Sequence, residues 1–382
     1  MAQFGSLNND IWSSVLSRLA VKDLIRLRCV CKGWYQLISD PVFRRVHLRK
    51  GKPISGFFFT VEFVQNYNLS AEVAETMAYL PLKLGSGLYQ PDFNFLPEDI
   101  KVLASCNGLI FCRSSIVSRD SAFYICNPLN KEWIRLNLNE PDIMDDIGLA
   151  FDPCQNFTDS LTNFKLVSVQ KFETGSEGPY FQFNVYSYDA GFMKTIQKIL
   201  HHGGHVYKKE IIFVNGMLHW LTISGEILAF NVVDGESSIV SVPFEDVPAD
   251  GERLHACCIG ESHDKLQYVM IFNNGLDIWS LEDYAESKWN LQYSRSVNAI
   301  MEENQSLHNR SEYMWPMIPL VFKDKYLLLE ATSIYLYNIE TRKMDEVFPL
   351  SQLPEHTTSS CSSAHSYCMS LMPLNSAQGL LL

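Results

Sequence analysis

No run of 18 or more apolar residues occurs anywhere in the 382 residues, so the chain offers no candidate for a membrane-spanning helix. The opening MAQFGSLNNDIW lacks a basic stretch followed by an apolar one, and no secretory signal is expected. None of the ten cysteines forms a CxxC pair, and only Cys257 and Cys258 are adjacent. Free thiols in a reducing compartment are therefore expected, which places the protein in the cytoplasm, the nucleus or both. Also missing are a GxSxG elbow, an HExxH helix and a glycine-rich phosphate loop with its lysine. Without them nothing points to an enzyme, and neither a cofactor nor a metal is expected.

What is present is apolar and unevenly charged. Hydrophobic residues make up 47% and aromatics 12% of the chain, enough for a large core. The formal charge of −12 divides into +7 over residues 1–52 and −19 over the remainder. Such asymmetry marks two domains with different partners, and a basic head calls for something acidic, nucleic acid or an acidic protein.

The head is helical by its periodicity. Leu7, Ile11, Val15, Leu16 and Leu19 recur at three- and four-residue steps. Asn8 or Asn9 is placed to cap this first helix, with Asp10 in its first turn. Asp23 is expected to cap a second run, in which Leu24, Leu27, Val30, Cys31, Trp34, Leu37 and Ile38 keep an apolar stripe, bent at Gly33 into two short helices. Asp40-Pro41 ends the helical reading, because the residue before proline is pushed out of the α region. Three short helices are too few for a self-sufficient core. The stripe has two uses open to it: a docking face, or packing on the larger domain behind.

This stretch, LNNDIWSSVLSRLAVKDLIRLRCVCKGWYQLISDPVF (7–43), resembles the F-box, the motif by which substrate receptors dock on the Skp adaptor of cullin–RING ubiquitin ligases. The resemblance sets a head at residues 4–50. It implies adaptor contact through Leu7, Ile11, Leu16, Leu19, Leu24, Leu27, Val30, Cys31 and Trp34. In it Trp34 anchors the third helix, Val30 and Cys31 face the adaptor, and the thiols act as small apolar fillers. The +7 charge fits an acidic adaptor. Asn8 and Ala20 stand where the family usually has prolines that pre-set the turns.

Beyond Pro53 the texture changes to aromatic-rich strand runs bounded by Gly, Asn, Asp or Pro, such as GFFFTVEFV (56–64), FKLVSVQKF (164–172), FQFNVYSY (181–188) and LQYVMIF (266–272). The segment reads as all-β. Residues 107–137, 215–243 and 325–349, with a looser copy at 273–294, share one plan: strand, strand, tight polar turn, strand. Meandering copies imply radial repetition as in a β-propeller, of about six or seven blades at about 45 to 50 residues each. A two-sheet sandwich is the alternative. The strand SYCMSLMPL (366–374), after a polar TTSSCSSAH loop, is expected to pair near GFFFTVEFV and complete the first blade.

This region too resembles a family, the kelch-like F-box-associated domain of plant receptors. The shared motifs are SCNGL (105–109), CNP (126–128), Trp133, GLAFDP (148–153) with FKLV (164–167), VYS (185–187), VNG (214–216) with Trp220, and ILAF (227–230), in the same order. The domain so marked spans 53–376. Most of these residues read as structural: Asn-Gly pairs for positive-φ turns, Asn127-Pro128 to start a turn, Trp133 and Trp220 to fill space between blades.

Tested for chemistry, HHGGH (201–205) lacks accompanying ligands and EPDIMDD (140–146) lacks the alternating calcium-loop pattern. Both read as loops, as does TTSSCSSAH despite its phosphorylatable hydroxyls. The resemblances imply a non-catalytic substrate receptor, bound through a Skp adaptor to a cullin and holding an unidentified target protein close to the ubiquitin-charged enzyme. Loops 81–99 and 299–317, with Trp315 beside Pro316, are candidate target contacts. The competing reading of the basic head as a nucleic-acid binder is disfavoured, because Arg26 and Arg28 are outweighed by the aliphatic stripe. Others are a scaffold working outside the ligase and an enzyme with catalytic residues scattered over the blades.

Overall fold

The computed structural model describes residues 9–49, 54–67, 70–82, 92–115, 122–136, 138, 146–152, 164–174, 178–187, 192–200, 206, 211–243, 257–272, 275–305, 317–350 and 359–374. Four helices open it: α1 (Asn9–Leu16), α2 (Val21–Arg28), α3 (Lys32–Ser39) and α4 (Pro41–Arg49). The sequence led to three. Asp40-Pro41 does end α3, but it also starts α4: the Asp40 carboxylate accepts the Val42 and Phe43 amides at 2.7 and 3.1 Å, and Pro41 supplies a pre-set φ at the first helical position. The expected cap of α2 is likewise corrected. Its N-cap is Ala20, whose methyl group accepts no hydrogen bond, and Asp23 sits inside the first turn with Arg26 at 3.7 Å.

The rest of the described chain is strand apart from one short helix. The first sheet holds β1 (Ile54–Tyr67) and β2 (Ser70–Pro81). Next come β3 (Ile100–Cys106), β4 (Leu109–Ser114), β5 (Phe123–Asn127) and β6 (Glu132–Leu136), a four-stranded meander. A second meander is β7 (Ile147–Ala150), β8 (Lys165–Thr174), β9 (Gly178–Ser187) and β10 (Phe192–Leu200). A third is β11 (Ile212–Val214), β12 (Met217–Leu221), β13 (Glu226–Asn231) and β14 (Ser237–Ser241). The last eight-stranded sheet joins β15 (Cys257–Ser262), β16 (Lys265–Phe272), β17 (Gly275–Asp283) and β18 (Lys288–Ser296) to β19 (Ile318–Lys323), β20 (Tyr326–Glu330), β21 (Ser333–Asn338) and β22 (Lys343–Pro349). The link is a short parallel pairing of β15 with β19. It depends on Gly260, where an added Cβ would lie 2.3 Å from the Phe322 carbonyl oxygen. Helix α5 (Val297–Glu303) follows β18.

The final strand, β23 (Ser359–Cys368), pairs antiparallel with β1, Gly56 opposite Tyr367 and Phe58 opposite His365. This is the pairing expected for the chain's end, although the strand begins earlier and takes in most of the TTSSCSSAH stretch read as a loop. The copies seen in sequence are the second, third and fourth strands of three meanders. The looser one at 273–294 is out of step, starting on a third strand.

Turn chemistry explains the hairpins. Asn107-Gly108, Asn215-Gly216 and His263-Asp264 all carry positive φ, the two-residue turn whose twist matches its strands. Packing explains the continuous apolar runs. All of β5 is buried, because its meander is sandwiched between two others. One apolar cluster joins the β3–β6 sheet to the β7–β10 sheet through Phe111, Ile125, Leu149 and Leu166. Another joins β7–β10 to β11–β14 through Val167, Phe183, Trp220 and Phe230. Leu328, Ile334, Phe57 and Phe59 join the last sheet back to the first. Two packed sheets of a sandwich would give one such layer, so that alternative is set aside.

Two histidines are buried in these layers. The His219 Nδ1–H donates to the Ile212 carbonyl at 3.1 Å, and its Nε2 accepts the Tyr284 hydroxyl at 3.0 Å. Burial lowers its pKa to about 4. His365 on β23 falls to about 4 as well, from burial and then from the Lys101 ammonium nearby. A pKa lower in the folded than in the unfolded chain means that the unfolded chain takes up protons first as pH falls. Stability is therefore lost between the ordinary value of 6.5 and about 4, by about 1.4 kcal/mol per pH unit per histidine. Pulse proteolysis in urea across this range is expected to show that His365→Leu reduces the acid sensitivity by about one proton's share.

Candidate functional site

The helical head is built around Leu16, Val21, Leu24, Ile38 and Phe43, all buried together with Leu371 from the far end of the chain. Ile25, Leu27, Trp34 and Leu37 pack at its margin, along with Leu129 from the β5–β6 turn and Met369. The edge-to-face pair Trp12–Trp34, with centroids 5.6 Å apart, braces α1 against α3. The His47 ring meets the Leu19 carbonyl at 2.9 Å, tying α4 back to the end of α1.

Against this interior the sequence-derived adaptor residues divide. Ile11, Leu19, Val30 and Cys31 are exposed, Val30 to 62%. Leu27 and Trp34 are half-buried. Leu16 and Leu24 are interior, Leu24 with no exposed surface, so they shape the head rather than present a surface. Leu7 lies outside the described residues. The expectation that the thiols are apolar fillers is corrected: Cys29 and Cys31 are both exposed, and the Cys31 sulfur accepts the Trp34 amide at 3.4 Å as the N-cap of α3.

Val15, Tyr35 and Val42 also stand exposed and were not among the candidates. Position on the helical stripe does not separate these from the rest: Val15 lies on it, Tyr35 and Val42 lie off it, and all three are in solvent. Tyr35 lies beneath the Arg28 guanidinium, 5.2 Å from its ring centroid. The head thus presents apolar side chains among basic ones.

The strands fix where this surface points. Residues 369–371 follow β23, and the β3–β4 and β5–β6 turns lie at the same end of the structure. An added Cβ on Gly108 would meet the Ser370 Cβ at 2.1 Å, and Asn127 Nδ2 donates to the Ser370 and Met372 carbonyls at 3.0 and 2.7 Å. In the first two sheets the β1–β2 turn, the start of β3 and the β4–β5 connection therefore meet strand ends remote from the head, whereas β2 ends on the head's side, the Leu82 amide donating to the Ser55 carbonyl at 3.1 Å. Part of the candidate loop 81–99 lies outside the described residues, as do Trp315, Pro316, His201, His202, His205 and most of 140–146.

A cavity of about 30 Å³ lies where β3, β11, β15, β19 and β23 converge, lined by Ser105, Asn107, Glu261, Lys323 and Ser366 among others. It has room for a water or two. Burial would lower the Lys323 ammonium there, but the adjacent Glu261 carboxylate outweighs it and raises the lysine above its ordinary range. Among the described residues, no three His, Cys, Asp or Glu side chains are grouped to hold a metal, and no helix is long and apolar enough to cross a membrane.

Comparison with known proteins matches this division of the chain. The family model described as "F-box domain" matches residues 4–46, and that described as "F-box protein At3g26010-like, beta-propeller" matches residues 74–373. Similar Arabidopsis thaliana proteins include F-box protein At5g49610, 26% identical over 76% of this chain and 79% of that protein. F-box protein At5g07610 is 26% identical over 75% and 69%. Putative F-box/kelch-repeat protein At3g17570 is 26% identical over 48% and 46%. The crystal structure of TolB from Acinetobacter baumannii superposes with a TM-score of 0.41 at 11% identity, over 89% of this chain and 71% of that one.

One local departure has a measurable consequence. Ala20 stands at φ −64°, ψ 148°, which is proline's own geometry, so the turn into α2 forms without the ring. Ala20→Pro is expected to stabilise the head by about 0.4–1 kcal/mol, by restricting the unfolded chain. Hydrogen exchange of the α2 amides should slow accordingly.

Proposed function

The chain belongs to the F-box proteins with an At3g26010-like β-propeller, and on that premise we propose that it is the substrate-recognition subunit of a Skp–cullin–F-box ubiquitin ligase. The head, taken as residues 4–50, docks on the Skp adaptor, and through it on a cullin. The β region, taken as 53–376, captures a target protein by the face remote from the head. The receptor supplies no catalytic group. It raises the target's effective concentration beside the ubiquitin-charged enzyme. It works in the cytoplasm, the nucleus or both.

The observation that carries this reading is the head's surface: Ile11, Val15, Leu19 and Val30 are exposed around a core that Leu16, Val21, Leu24, Ile38, Phe43 and Leu371 fill without them. Solvent-exposed aliphatics in a +7 segment suit a partner that is apolar at its centre and acidic around it. We read the β region as a kelch-like propeller of six blades. Supporting this are six apolar clusters that link neighbouring sheets in cyclic order, the one between the β15–β18 and β19–β22 halves among them. The pairing of β23 with β1 in the first sheet supports it too.

Binding of the full-length chain to a plant Skp adaptor tests the proposal. Ile11→Asp and Val30→Asp are each expected to weaken binding at least about tenfold with the melting transition unchanged, since both side chains already lie in solvent. Raising the salt concentration should weaken the complex as well. Leu24→Asp is expected to unfold the head instead, because it buries a charge among Leu16, Ile38 and Phe43. A folded wild-type chain that binds no Skp adaptor would refute the reading.

A further inference from the structure

The head cannot stand on its own helices. Helices α1 to α4 are eight or nine residues long, and isolated helices shorter than about 12–15 residues are marginal in water. A unit of some forty residues also buries too little surface to fold unaided. What completes its core comes from more than 300 residues away: Leu371, 3% exposed, sits among Leu16, Val21, Leu24, Ile38 and Phe43.

The segment carrying Leu371 has no freedom to reach the head by itself. It continues directly from β23, and its first amide, on Met369, donates to the Ser55 hydroxyl at 3.0 Å beside the start of β1. Asn127, wholly buried, holds the Ser370 and Met372 carbonyls, and the Leu374 amide donates to the Glu132 carboxylate at 2.6 Å. Ser370 is pressed against the Gly108 turn, where no Cβ fits. Leu371 therefore enters the head only when β23 has paired with β1 and the segment lies along the β3–β6 sheet.

We propose that adaptor docking is conditional on completion of the β region, with Leu371 the positioning residue that holds the head in its docking shape. A chain that lacks its last strand, or has not yet paired it, carries every exposed docking residue and still does not dock. The proposal rests on the reading of the head as an adaptor-docking module.

The test uses the full-length chain with Leu371→Ala and the conservative Leu371→Met, followed by hydrogen-exchange mass spectrometry and by adaptor binding. In Leu371→Ala the α2 and α3 amides are expected to exchange at least about tenfold faster while those of β4 and β12 are unchanged. Adaptor affinity should fall with them, although Leu371 is itself buried, and Leu371→Met should restore both. Unchanged α2 and α3 protection in Leu371→Ala would overturn the proposal. So would equal loss of protection in β4 and β12, because the head would then have no dependence of its own on Leu371. A wild-type chain that binds no adaptor removes the docking reading, and the exchange pattern then decides separately whether Leu371 holds the head.

Discussion

The pairing of β23 with β1 is the contact on which the rest of the structure depends. It joins strands at opposite ends of the β region, with Ser55 and Met369 separated by 314 positions. Loop closure over such a span is less prohibitive than its length suggests, since each doubling of a loop adds only about 0.6 kcal/mol. The register is held on both faces of β1. Phe57 and Phe59 pack toward β20 and β21, while Phe58 packs with Tyr79, Phe93 and Tyr367 toward β3–β6. A slip by one residue would exchange these two sets and empty both layers. The same pairing delivers 369–374 to the head, so sheet assembly and head geometry share one cause.

Three polar groups that these layers enclose are matched to fixed partners. Asn127 spends its amide on the segment after β23 and its carbonyl oxygen on the Leu129 amide at 3.0 Å. His219 stays neutral between a carbonyl and a tyrosine hydroxyl, bridging β12 to the turn after β17. Lys323 keeps its charge because Glu261, on the strand paired in parallel with its own, is carried alongside it. Each group would be destabilising alone in such surroundings. Together they fix which sheet sits beside which.

The head is built the opposite way, with little interior and much exposed apolar surface. Its buried set is small, its four helices are short, and Asp40 ends one helix while capping the next. That compactness leaves Ile11, Val15, Val30 and Val42 in solvent on a basic module. The contacts through Leu129, Met369 and Leu371 join this basic module to the acidic remainder of the chain.

The sequence by itself determined the order of things: a basic helical head, then all-β meanders, the Asn-Gly turns, and a last strand that returns to the first. All but the last are local or nearly local properties, set by hydrophobic period, turn residues and charge among residues a few positions apart, whereas the returning strand followed from the need of repeated sheets to leave no free edge. Only the tertiary structure decided which side of the head's stripe is interior. Periodicity groups Leu16, Leu24 and Ile11 alike, but burial depends on what covers each one, and Leu371 covers the first two from the other end of the chain. The tertiary structure also decided that Cys31 is a cap rather than a filler and that a helix begins at Pro41. Both rest on where a backbone amide points, and composition carries no record of that.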